Sequence, residues 1–95
     1  MEIIGLEKLN DFVQKHSDVK QQVKSWVAEV TEFIWTTPND IKERYHTASF
    51  LKENIVVFNI KGNHYRLITK VNYKNGIVLI KNMATHSEYS KMNLE

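Results

Sequence analysis

From Ile55 to Met83 the chain reads IVVFNIKGNHYRLITKVNYKNGIVLIKNM. Three runs, Ile55–Lys61, His64–Tyr73 and Ile77–Met83, are rich in Val, Ile, Phe and Tyr, side chains that suit a pleated, half-buried surface. Gly62-Asn63 and Asn75-Gly76 divide them, and both dipeptides suit the left-handed conformations of a two-residue hairpin turn. The stretch therefore predicts a three-stranded antiparallel meander. Two-residue loops fix its register. Lys61 falls opposite His64, Asn59 opposite Arg66 and Val57 opposite Ile68. In the second hairpin Lys74 falls opposite Ile77, Lys70 opposite Lys81 and Ile68 opposite Met83, so that Thr85 comes opposite Arg66.

Side chains alternate between the faces of a strand. One face then collects Val56, Phe58, Ile60, Tyr65, Leu67, Val71, Tyr73, Val78 and Ile80, and calls for a helical cover. The opposite face mixes Asn59, Lys61, His64, Arg66, Lys70 and Lys81 with Ile55, Val57, Ile68, Leu79 and Met83. Its polar groups gather towards one end.

The cover lies upstream. After a short strand expected over Met1–Ile4, the residues Leu6, Leu9, Phe12 and Val13 form one helical stripe. Ser17 is placed to cap a second helix, with Asp18 at its positive end. Val19, Val23, Trp26, Val27, Val30, Phe33 and Ile34 recur at spacings of three and four, the pattern of a long helix with one apolar face. Trp26 and Trp35 are expected in the core. Thr37-Pro38-Asn39-Asp40 is a helix start, with a Thr cap, Pro at the first position and an acid three residues after the cap. That helix should run to Tyr45, with a brief strand near Phe50. Thr85-His86-Ser87-Glu88 matches a capping box that opens a last short helix. The expected fold is α+β: a helical hairpin packed on one face of a small antiparallel sheet, closed by a short C-terminal helix. At 95 residues the whole chain, 1–95, suits one domain.

Composition narrows the function. With no cysteine in the chain, a disulfide framework and a thiolate metal site are excluded. The four histidines lack the spacing of a metal motif, so neither metal nor cofactor is expected. There is no apolar run that would span a membrane and no signal-peptide pattern at the start, which fits a cytoplasmic protein. The net charge of +2 is divided unevenly. Residues 1–53 hold seven Lys/Arg against nine Asp/Glu, and residues 54–95 hold six against two. A basic sheet of this kind suits a polyanion, though a solvated basic surface would have the same composition.

The expected register brings Arg66, Lys61, Asn59, His86 and Tyr89 to one end of the mixed face. A guanidinium, an ammonium, an imidazole and a phenol can together cleave RNA. A base takes the 2′-hydroxyl proton, a cation steadies the phosphate and an acid protonates the leaving 5′-oxygen. Each group also has an ordinary reading: a surface arginine, a solvated histidine, a packing tyrosine, turn residues at Lys61 and Asn63.

The run Val57 to Leu67, with Asp40-Ile41-Lys42 before it and Thr85-His86-Ser87-Glu88-Tyr89 after it, resembles the signature of HigB-family toxins. The resemblance spans essentially the whole chain. It implies the RelE-like fold, metal-independent endoribonuclease cleavage of mRNA on the ribosome, and a HigA-type antitoxin as partner. It also implies Arg66 as the phosphate clamp, assisted by Lys61, with His86 as general acid or base and Tyr89 as helper or stacking group. Asn59, Asn63, His64, Lys70 and Lys81 would hold RNA. Where the RelE pattern is basic, this chain has Thr85-His86, which leaves the general base open. The alternatives are a non-catalytic RNA- or ribosome-binding module using the same face, and a structural protein whose basic face meets an acidic partner.

Overall fold

A computed structural model describes residues 1–92; the last three residues of the expected 1–95 domain lie outside the described part. The elements run in order: β1 (Glu2–Ile4), α1 (Leu6–Lys15), a 3-10 turn (Ser17–Val19), α2 (Lys20–Glu32), α3 (Pro38–Arg44), β2 (Ser49–Phe50), β3 (Ile55–Ile60), β4 (Tyr65–Asn72), β5 (Ile77–Thr85) and α4 (His86–Ser90). The strands form a five-stranded sheet in the order β1-β5-β4-β3-β2. This α+β arrangement is consistent with a RelE-like domain. The sheet is mixed where a purely antiparallel one was expected. The chain crosses the sheet through its helices, and β1 pairs parallel to β5, with Ile3 beside Val78 and Ile4 beside Leu79. Gly5 makes the bend from β1 into α1 at φ 97°. A Cβ there would stand 3.1 Å from the Ile80 carbonyl oxygen.

The helices cover the apolar face. Leu9, Val23, Trp26 and Val30 are buried in one cluster with Val56, Phe58, Leu67, Val78 and Ile80. Phe58 is its hub, with ring centroids 5.2 Å from Tyr45, 5.3 Å from Trp26 and 6.1 Å from Trp35. α2 stops earlier than its apolar stripe suggests. Phe33 is extended and Ile34 is 85% exposed, so Ile34 is not a core residue, while Trp35 is buried on the connecting segment. Ser17 opens a 3-10 turn and makes no capping bond to α2. The expected capping box forms between Thr85 and Glu88, and the expected helix start at Thr37 proves to be a second box, with Asp40.

The first hairpin has the expected register, with Asn59 opposite Arg66 and Val57 opposite Ile68. Lys61 and His64 close it through a turn hydrogen bond rather than as a strand pair. The second hairpin departs from expectation. Its loop has four residues, because the side chain of Asn72 accepts the Asn75 N–H at 3.0 Å and Gly76 turns the chain at φ 69°. Ile77 therefore pairs with Asn72, and Lys70 faces Leu79, not Lys81. A β-bulge follows: Thr69 pairs with Ile80 but Ile68 pairs with Asn82, which leaves Lys81 as the extra residue. The bulge lets Ile80 and Met83, three apart, both turn into the core. Met83 thus lies on the helical side, opposite to its expected face, and Ala84 instead of Thr85 comes opposite Arg66.

Candidate active site

β4 is the central strand, and Arg66 points from it to the face away from the helices, alternating with the core residues Tyr65 and Leu67. Its side chain is 9% exposed. Nη1 donates to the carbonyl oxygens of Asn63 (3.0 Å) and Tyr65 (3.3 Å). Nη2 donates to Asn63 Oδ1 (3.3 Å) and lies 2.9 Å from Nδ1 of His86. The Tyr89 ring lies 5.6 Å from the guanidinium carbon. Arg66 makes no ion pair among the described residues. A buried guanidinium held only by neutral acceptors keeps its full charge for an incoming anion.

An arginine has donors only. In the Arg66–His86 contact Nδ1 of the imidazole is therefore placed as the acceptor. The start of α4 aims this ring. The Thr85 hydroxyl accepts the Glu88 N–H (3.1 Å), Glu88 accepts the Thr85 N–H (2.8 Å), and the His86 N–H donates to the His64 carbonyl (2.9 Å). The Thr85 N–H, the largest influence, holds the Glu88 carboxyl below its usual range. Neighbouring Ala84, small and buried, lies opposite Arg66.

Of the residues singled out in the sequence, the structure gathers Arg66, His86, Tyr89 and Asn63. Asn63 serves the guanidinium with two oxygens. Lys61 is not with them. At φ 54° it turns its ammonium to Asp18, at 3.0 Å from Oδ2, on the helical side of the sheet. The Tyr65 hydroxyl donates to both oxygens of the same carboxylate at 2.8 Å. Tyr65 first, then Lys61, hold Asp18 below the usual carboxylate range, and the same bond raises the Tyr65 phenol. Asp18 was not foreseen, since no sequence signal links it to residues more than forty positions away. Asn59 donates to the Thr47 carbonyl at 3.2 Å. His64 is exposed in the turn. Lys70 stands four residues along β4 from Arg66, about 13 Å away, in a cleft of about 530 Å³ shared with Asn54, Lys74 and Leu79. Lys81 is exposed at the bulge.

Fold and cluster together define a small α+β protein with a buried guanidinium, unpaired among the described residues, beside an imidazole on the open side of its sheet. The family model HigB_toxin, described as the RelE-like toxic component of a toxin-antitoxin system, matches residues 19–92. The chain belongs to that family, which makes it a toxin with an antitoxin as partner. No curated protein matches it. Among the described residues no helix is long and apolar enough to cross a membrane.

Proposed function

We propose that this toxin is a cytoplasmic endoribonuclease, one domain over 1–95, that cleaves mRNA on the ribosome without a metal and so inhibits translation. The observation that carries this reading is the buried, un-neutralised Arg66 guanidinium within hydrogen-bonding distance of an imidazole. Arg66 binds the scissile phosphate and steadies the charge that builds on it. The arriving phosphate takes the Nη2 donor, which releases Nδ1 of His86. The freed imidazole then exchanges protons with the reacting oxygens: the 2′-oxygen attacks phosphorus, its proton leaves, and the departing 5′-oxygen gains one. Tyr89, flanking the guanidinium, stacks on a base. Lys70 and Lys81 hold the backbone of the bound strand. Lys61, occupied by Asp18, is a structural residue here. The antitoxin is of the HigA type.

The test is induced expression of wild type beside Arg66→Ala and His86→Ala, with growth and mRNA 5′-ends recorded. Arrest and new ends from wild type alone support the proposal. A folded, expressed wild type that yields no new ends overturns it, and RNA binding without cleavage would mark a binding module instead.

A further inference from the structure

The helical layer carries a second feature on the outside of the molecule. A crease of about 290 Å³ runs between α1 and α2. Leu9 and Val23 form its floor, Val13 and Val27 its half-buried walls, and Leu6, 40% exposed, its open end. Lys20 and Lys24 line it as well, and no acidic residue does. They sit one turn apart on α2, and both are exposed.

We propose that this crease is the docking site for a helix of the antitoxin, an amphipathic helix whose aliphatic stripe is bordered by carboxylates. Three properties select that occupant. The lining is aliphatic and lacks any aromatic ring, so nucleobases have nothing to stack on. Leu and Val floors with spaced walls suit side chains presented at helical intervals of three and four. The two lysines supply a charge border that an acidic partner complements and a basic one opposes. The walls, α1 with ten residues and α2 with thirteen, are about 15 and 20 Å long, room for a helix of about three turns. The crease lies on the layer opposite Arg66, so an antitoxin seated there holds the toxin by a surface separate from the guanidinium. The inference rests on membership of the toxin family and is independent of the nuclease reading.

Binding alone tests it, with no need for activity. The probe is the purified cognate antitoxin, titrated into the toxin by calorimetry. The variants are Lys20→Glu/Lys24→Glu, Leu6→Asp, and Ile34→Asp as a control at an exposed apolar residue elsewhere; thermal melts confirm that each is folded. The proposal expects the first two to weaken binding at least about tenfold and the control to bind as wild type. Restoration of binding to the charge-reversed toxin by Glu→Lys changes in the antitoxin helix would confirm the border. Unchanged binding by both crease variants overturns the proposal, as does loss confined to Ile34→Asp. A toxin dimer that the lysine reversal dissolves, with antitoxin binding intact, would give the crease to a second copy and also overturn it.

Discussion

Arg66 and His86, twenty residues apart in the chain, meet at 2.9 Å through Nη2 and Nδ1. The guanidinium can only donate, so Nδ1 is the acceptor in this contact. In the proposed reaction an arriving phosphate competes with Nδ1 for the Nη2 donor.

Replacement of Arg66 is expected to abolish growth arrest and lower RNA cleavage by about 10²–10³-fold. Arg66→Lys should not restore it. An ammonium cannot reach Asn63, Tyr65 and His86 together with its single nitrogen, whereas the planar fork does. Single-turnover cleavage of a defined RNA by both variants would check this.

His86→Gln and His86→Ala separate placement from proton transfer. Glutamine retains an acceptor for Arg66 but cannot exchange a proton at neutral pH. Both variants should bind RNA near the wild-type level and cleave about 10²-fold or more slowly. Recovery of cleavage in the glutamine variant would reduce the imidazole to a spacer for the guanidinium.

Lys61→Ala should leave cleavage within about threefold of wild type and lower the melting temperature slightly, since the ammonium is engaged with Asp18 in an exposed pair. Asp18→Ala should lower it more, because Tyr65 and Lys61 both lose their acceptor. A loss of cleavage in Lys61→Ala comparable to that in Arg66→Ala would return the lysine to the reaction.

Acid should weaken the fold and α4 together. Asp18, Asp40 and Glu88 all have carboxyls lowered by hydrogen bonds made in the folded chain. A lowered carboxyl adds stability that is present above its unfolded value, about pH 4, and is lost as the pH falls through the lower folded value. Tyr45 and Tyr65 are raised, Tyr45 mainly by burial and Tyr65 mainly by Asp18. Their contribution is present below the ordinary phenol range, about pH 10, and is lost as the pH climbs through their raised values. Melting temperatures should thus be level near neutrality, fall below about pH 4 and fall again at high pH. In Glu88→Gln the acid limb should become shallower.

Phe58→Ala should destabilise the protein by about 3–5 kcal/mol, because the ring contacts Tyr45, Trp26 and Trp35 at once. Denaturant titration would measure it.

The first hairpin was legible because Gly62-Asn63 and the alternation around it agree, and Asn59 does lie opposite Arg66. The Thr37 helix start and the Thr85 capping box were legible because their hydrogen bonds join residues three apart. What escaped depends on partners distant in the chain. Asn72 reached forward to lengthen the second loop, and Lys81 bulged so that Ile80 and Met83 could both be buried. The same non-locality hid Asp18, whose two partners come from the β3–β4 turn and β4. His86 was nevertheless placed near Arg66 because the two errors of register nearly cancel: the longer loop moves the pairing by two residues and the bulge returns it by one.

That partial cancellation acts as a phase control on the whole C-terminal segment. Ala84 shares a side of the sheet with Arg66, and the chain then turns into the helix that begins at His86. A regular strand over the same residues, with no bulge at Lys81, would invert every position after it, sending Met83 outward and carrying the imidazole towards the helical layer. Related toxins are therefore free to vary the length of the loop between β4 and β5, where added residues loop out. Between Ile77 and His86 a single residue can be lost only at the bulge, where Lys81 is the extra one; elsewhere in the strand an odd step exchanges inside for outside.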